Sequence, residues 1–137
     1  MVICVQDLNI NAVRMGPHDE LVVVHWDFAG PNRPEWELAY VLNQWATNAT
    51  ASPGTAAALV SGYREGSGTI PRLDLSSFWL TITGFLNWTF GRANSALQTT
   101  DLEEQAFDRS ALRQLIADPL TVTKIEQLLD NLRPSLS

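Results

Sequence analysis

The chain has 137 residues, of which 45% are hydrophobic, and this length and composition indicate one domain with a single core. Its net charge of −6, with nine scattered Lys and Arg residues, excludes a general affinity for nucleic acid, because phosphate contacts need clustered basic side chains. The start of the chain lacks a basic signal region and no apolar run is long enough to cross a membrane, so we expect a cytoplasmic protein without a membrane segment.

Three short β segments are predicted near the N-terminus, at residues 2–6, 12–15 and 21–26, where apolar and β-branched residues are concentrated. Cys4 lies in the first segment and should pack there as a small hydrophobic side chain. The sequence Gly16-Pro17-His18-Asp19 is typical of a turn, so the second and third segments should form a β-hairpin.

Five helices are predicted after residues 28–34, which contain two prolines and are expected to interrupt all regular structure. The apolar spacing indicates helices at 34–46, from the break at Ser52–Gly54 to about Glu65, from about Asp74 onward, at 101–117 and at 120–132. Asp74 is the expected N-cap of the third helix. That helix has an apolar stripe which we assign to core packing, formed by Leu75, Phe78, Trp79, Ile82, Phe85, Leu86 and Phe90. The predicted fold class is therefore mainly α with a small N-terminal β-hairpin (α+β), with residues 34–137 as the helical part.

Residues 5–12 read Val-Gln-Asp-Leu-Asn-Ile-Asn-Ala, and residues 21–27 read Leu-Val-Val-Val-His-Trp-Asp. Together they resemble the catalytic and metal-binding segments of the aminoglycoside phosphotransferase family, which has His-x-Asp, four residues and Asn, then an apolar strand ending in Asp. Asp7 keeps the central position, whereas Val5, Ala12 and His25 occupy the other three. The resemblance implies an isolated C-terminal lobe of the protein-kinase-like fold, with 1–33 as a degenerate catalytic segment and the N-terminal nucleotide-binding lobe missing.

Phosphoryl transfer needs a base near the attacking hydroxyl and ligands for magnesium. By resemblance Asp7 is the base, but Ala12 offers no ligand and the imidazole of His25 suits zinc, copper or nickel better than magnesium. Asn11 and Asp27 lie close to the expected ligand positions, and on a strand Asp27 would share a face with His25. Asn11, His25 and Asp27 are thus the candidate ligands of a degenerate metal site. We expect no cofactor for this chain alone, and ATP and Mg only through the resemblance.

The sequence from Asp27 to Ala39 also resembles the family, and Glu37 is the acidic residue that braces the catalytic loop in such relatives. The alternative for Glu37 is an exposed helical glutamate. The acceptor pocket of the family implies substrate-binding carboxylates, for which Asp101, Glu103, Glu104 and Asp108 are the candidates. Acidic residues are also common in the first turn of any helix, because they interact favourably with its dipole.

Three functional interpretations stay open. The first is an incomplete phosphotransferase-family protein that is inactive in ATP-dependent phosphoryl transfer to a small-molecule hydroxyl. The second is a non-catalytic module that binds a small cationic or hydroxylated ligand or a protein partner. The third is an enzyme half completed by a separate N-terminal lobe. Loss of that lobe would uncover apolar strands at 2–6 and 21–26, so self-association through them is expected.

Overall fold

The computed structural model describes residues 2–47 and 54–136, and in these ranges the chain is mainly helical with two small antiparallel sheets. The predicted α+β class is confirmed at this level. The helices are α1 (Pro34–Ala46), α2 (Thr55–Ser67), α3 (Trp79–Gln98), α4 (Leu102–Ala117) and α5 (Val122–Leu136). The strands are β1 (Val2–Cys4), β2 (Val13–Met15), β3 (Leu21–Val23) and β4 (Gly30–Asn32).

The predicted hairpin is formed by β2 and β3, with Val13 opposite Val23 and Met15 opposite Leu21. The prediction that residues 28–34 lack regular structure is wrong, because β4 lies in this segment and pairs with β1. Pro31 faces Ile3 in that pair. A proline is tolerated there because both strands of a two-stranded sheet are edge strands, which need no hydrogen bond on their outer side.

The helices begin and end close to the positions that the sequence predicts. Pro34 occupies the first turn of α1, and Gly68, with φ 76°, ends α2 in the left-handed conformation that glycine adopts without strain. Asp74 is an N-cap, as predicted, but it caps a 3-10 turn at Leu75–Phe78 that precedes α3. Residues 52 and 53 of the predicted break before α2 lie outside the described residues.

The core lies between α1, α2, α5 and the 3-10 turn. Its central side chains are Leu42, Val60, Phe78, Ile125 and Leu132, all at most 1% exposed. In α1 the buried residues Leu38 and Leu42 are four positions apart, and in α5 the buried residues Ile125, Leu128 and Leu132 are three and four positions apart, which places each set on one face of its helix. The same packing brings α1 against β1 and against α3, and this positions the functional site.

The assignment of the whole third-helix stripe to core packing is wrong. Phe78 is fully buried and Ile82 packs against the core, but Leu75, Trp79, Leu86 and Phe90 are 40–74% exposed. The helix has apolar residues on several sides, so its periodicity does not identify the side that packs. Within the described residues, no helix is both long and apolar enough to cross a membrane.

Candidate functional site

The loop after β1 is tied to α1 at three places. The backbone N–H of Gln6 donates to Glu37 Oε1 at 3.1 Å, the hydroxyl of Tyr40 donates to Asp7 Oδ1 at 2.7 Å, and the indole N–H of Trp45 donates to the carbonyl of Leu8 at 3.0 Å. Glu37 and Tyr40 are three residues apart, so both project from the same side of α1. Side chains of α1 therefore fix residues 6–8 in sequence.

Glu37 also accepts a hydrogen bond from Asn32 Nδ2 at 3.5 Å, so its carboxylate lies between the loop and the end of β4. Gln6, the residue that Glu37 holds, has a positive φ of 65°. Such a backbone conformation is uncommon for a residue other than glycine and persists only where neighbouring contacts enforce it. The side chain of Glu37 is partly buried rather than fully exposed on the helix surface.

Asp7 is partly buried, and its Oδ1 atom accepts a second hydrogen bond from Asn9 Nδ2 at 2.8 Å. Burial raises the pKa of the Tyr40 phenol, and the hydrogen bond to Asp7 and its negative charge raise it further. Tyr40 therefore stays protonated at neutral pH and acts as a donor to the Asp7 carboxylate. Both hydrogen bonds end on Oδ1 and fix the direction of the carboxylate. Neither of them involves Oδ2.

A cavity of about 640 Å³ opens beside Asp7, between the loop, α1, α3 and α4. Its polar wall includes Asp7, Asn9, Asn11, Tyr40, Asn43 and Gln44, and its apolar wall includes Leu80, Phe85, Trp88 and Leu115. A second cavity of about 280 Å³ lies on the Glu37 side, and Thr81 lines both. This combination of an apolar wall and a few polar groups is typical of a small-molecule site.

The hydroxyl of Thr81 is unusual in this setting. The residue is 6% exposed, and its Oγ1 atom is buried with no hydrogen-bond partner among the described residues. Leaving a buried hydroxyl unpaired costs on the order of 1–3 kcal/mol. Thr81 therefore offers an unused donor and acceptor at the boundary between the two cavities.

The candidate metal ligands do not form a magnesium site. Ala12, at the position where the resembled family has Asn, is 1% exposed and has no ligand atom. Asn11 lines the Asp7 cavity, whereas His25 and Asp27 do not. In the described ranges, no group of three or more His, Cys, Asp or Glu side chains could hold a metal ion. The residues present therefore do not fit magnesium, which needs several oxygen ligands in near-octahedral geometry.

The expectation that His25 and Asp27 share one face of a strand is wrong. The strand β3 ends at Val23, His25 has a left-handed backbone with φ 62°, and residues 26–28 form a 3-10 turn. The indole N–H of Trp26 donates to the Val23 carbonyl and closes this turn. The alternation of sides that the prediction used applies only while the backbone stays extended.

The four candidate substrate carboxylates lie away from the Asp7 cavity. Asp101 is the N-cap of α4 and accepts hydrogen bonds from the backbone N–H groups of Glu103 and Glu104. Glu104 accepts hydrogen bonds from the hydroxyls of Ser95 and Thr99, and Glu103 is exposed in the first turn. These contacts are those of a helix start, in agreement with the dipole alternative.

Asp108 is 0% exposed and forms an ion pair with Arg92 of α3, with Arg92 Nη1 2.6 Å from Asp108 Oδ1. The guanidinium also lies 4.6 Å from the centroid of Trp88 and 5.8 Å from that of Phe107. A buried carboxylate with this partner joins α3 to α4. It is not accessible to a ligand in this structure.

Sequence reasoning did not identify Tyr40, Asn9 or Thr81 as site residues. Asn9 and Tyr40 hydrogen bond to Asp7, and Thr81 lies across the cavity. The spacing of Glu37 and Tyr40 on α1 was a usable signal, because a helix that braces a loop through one residue presents the residue one turn later to the same loop. Nothing local in the sequence indicates Thr81.

No protein-family model, curated protein or solved structure matches the chain. The likeness to aminoglycoside phosphotransferases consequently rests on segments of the sequence alone.

Proposed function

We propose that this chain is a helical lobe of the aminoglycoside phosphotransferase type, with a protein-kinase-like origin, that does not transfer phosphate. The observation that carries the proposal is the Asp7 loop: its carboxylate is oriented by Tyr40 and Asn9 at a cavity, as a catalytic base would be, while the neighbouring ligand positions hold Ala12 and His25. Because such enzymes use ATP, the proposal includes a cytoplasmic location.

A base without metal ligands is insufficient for this reaction. Phosphoryl transfer from ATP depends on positioning the phosphates and neutralising their charge, and a carboxylate alone repels them. Among the described residues, the Asp7 side chain accepts hydrogen bonds from Tyr40 and Asn9, and neither of these is cationic. Lys124, the one lysine in the sequence, pairs with Asp118 before α5. These contacts support the proposal that the chain keeps the helical lobe but has lost phosphoryl transfer from ATP.

The first experiment is a calorimetric titration with ATP and magnesium at millimolar concentration. We expect no measurable binding. A dissociation constant in the micromolar range would contradict the proposal, because it would require a phosphate site that the described residues do not form.

The second experiment restores the signature with Val5→His, Ala12→Asn and His25→Asp. The triple variant should gain at most weak magnesium or manganese affinity and no phosphate transfer to kanamycin or choline, because position 12 is buried and position 25 does not line the cavity. Turnover that appears in the triple variant and disappears when Asp7→Ala is added would contradict this reasoning.

A second candidate function, binding of a small hydroxylated and cationic ligand, is favoured by the unpaired Thr81 hydroxyl. Thr81 lines the same cavity as Asp7, so a ligand could place a hydroxyl on Thr81 Oγ1 and a positive charge beside Asp7. The apolar wall with Trp88 would contact the carbon skeleton of the ligand. This function needs neither ATP nor metal.

Tryptophan fluorescence measured during titration with kanamycin or choline tests this second candidate. Asp7→Asn should weaken binding by about 10-fold or more, since a hydrogen bond to a charged group contributes about 1.5–3 kcal/mol. Thr81→Val removes the hydroxyl with little change of shape and should also weaken binding. The matched control is Asp27→Asn, which makes the same charge change outside the cavity. Equal loss in that control would indicate unspecific attraction to an acidic protein.

A further inference from the structure

An exposed apolar stripe runs along the outer side of α3. It consists of Trp79, Leu86, Phe90 and Leu97, which are 65%, 58%, 74% and 86% exposed. At 3.6 residues per turn, positions 7, 11 and 18 residues after Trp79 lie within roughly 20° of it around the helix axis. The four side chains therefore form one line along the helix, called the α3 stripe below.

The α3 stripe faces away from the rest of the protein. The opposite side of α3 carries the packing contacts, with Phe85 and Trp88 at the Asp7 cavity and Arg92 on Asp108 of α4. All four side chains of the stripe stay more than half exposed when the described part of the chain is folded. The largest exposed apolar patch on a monomer is often functional, and patches larger than a few hundred Å² typically mark interaction sites.

The charge pattern of α3 indicates which partner fits. Residues 79–98 contain no Asp or Glu and one basic residue, Arg92, which is already paired with Asp108. The whole chain carries a net charge of −6, so two copies repel each other overall. The helix that carries the α3 stripe brings no carboxylate of its own to such a contact, and the stripe offers no charge to select a basic or acidic partner.

The spacing of the stripe is also self-complementary. The intervals between its four residues are seven, four and seven positions, which read the same in both directions along the helix. In an antiparallel pair related by a twofold axis near residue 88, Trp79 meets Leu97 of the second copy and Leu86 meets Phe90 of the second copy. A twofold interface requires this kind of reciprocal match between one patch and itself.

The area is sufficient for a specific but modest interface. Using aromatic side-chain areas of 150–250 Å², the exposed parts of Trp79 and Phe90 with the two leucines give on the order of 500 Å² per chain. Two chains together reach on the order of 1,000 Å², which is the lower limit for a specific interface. We propose that the α3 stripe is a homodimer interface in which two copies of α3 pack antiparallel.

Sedimentation velocity of the full chain between about 5 and 500 μM tests the proposal. We expect a monomer–dimer equilibrium with a micromolar dissociation constant, since interfaces of larger area already extend into that range. Leu86→Glu combined with Phe90→Glu should raise the dissociation constant by at least about 30-fold, the effect of losing one central interface anchor. Circular dichroism would verify that the variant keeps its helices.

Two control variants make the same charge change elsewhere. Leu102→Glu with Ile116→Glu lies on α4, where the side chains are 79% and 73% exposed. Ile3→Glu with Leu21→Glu lies on the strands through which the sequence predicts self-association, at 72% and 73% exposure. Both controls should leave the dimer intact.

Cysteine cross-linking tests the antiparallel arrangement independently of acidic substitutions. In a Cys4→Ser background, a mixture of chains with Leu86→Cys and chains with Phe90→Cys should form a disulfide between unlike chains. A mixture of Leu86→Cys and Leu97→Cys chains should not, because these positions lie about two turns apart along the paired helices. A wild-type chain that is monomeric at 500 μM, open-ended aggregation, equal loss of the dimer in either control, or the reverse cross-linking pattern would overturn the proposal.

Discussion

Removal of either member of the Arg92–Asp108 ion pair should destabilise the fold, by amounts that differ with the burial of the charge left behind. Asp108 is completely buried, whereas the side chain of Arg92 is 26% exposed and stacks on Trp88. Arg92→Met leaves a carboxylate with no access to water. Asp108→Leu leaves a guanidinium that water can still reach on one side.

The burial of the remaining charge determines how much free energy of unfolding each variant loses. Breaking a buried pair typically costs about 3–5 kcal/mol, and Arg92→Met should lie in that range. Asp108→Leu should cost less, about 2–3 kcal/mol, which corresponds to the loss of a hydrogen bond between charged groups. For a domain whose free energy of unfolding is about 5–15 kcal/mol, both losses are large.

The double variant is the informative case. Arg92 Nε and Asp108 Oδ2 are buried and have no hydrogen-bond partner among the described residues, so the pair uses only part of its bonding capacity. Two apolar side chains would remove those unpaired atoms together with the charges. We expect the free energy of unfolding of the double variant, Arg92→Met with Asp108→Leu, to lie within about 1 kcal/mol of the wild-type value. Replacing a buried ion pair by apolar side chains often has such a small effect.

Urea unfolding followed by circular dichroism would measure the three free energies and their coupling. The expected losses follow from a structural role of Asp108 between α3 and α4. This role would be refuted if Asp108→Leu unfolded like the wild type while abolishing the binding of an aminated ligand, since that result would restore the substrate-binding role that the sequence suggests.

Further predictions concern the loop, a helix cap and the cysteine. Glu37→Gln should lower the free energy of unfolding by about 1–3 kcal/mol and speed amide exchange at Gln6, because the charged acceptor for its N–H is lost; Glu103→Gln is the exposed control. The pKa of Asp74 is lowered by hydrogen bonds from Ser76, so the melting-temperature difference between wild type and Asp74→Asn should be present at pH 7 and shrink from about pH 4 downward. Burial raises the pKa of the Cys4 thiol, so Cys4 should react slowly with a disulfide reagent at pH 7 and fast in urea; equal rates would contradict its burial.

The sequence alone predicts the elements whose causes are local. The hairpin follows from the turn residues between β2 and β3, α1 begins at Pro34 because proline fits a first helical turn, and Asp74 and Gly68 mark helix boundaries through their own hydrogen bonding and backbone freedom. Each of these signals acts within a few residues. They therefore remain readable without knowledge of the rest of the fold.

The tertiary structure decided which strands pair and which side of a helix is buried. Pairing with β1 makes residues 30–32 a strand, although their proline and glycine predict a break. The local sequence does not reveal this pairing, because Pro31 and its partner Ile3 are 28 positions apart. The side of α3 that is buried depends on where α1 and α4 lie, and periodicity cannot select it in a helix that is apolar on several sides. The site has the same origin, since Tyr40 and Thr81 meet the Asp7 cavity only after α1 and α3 have packed together.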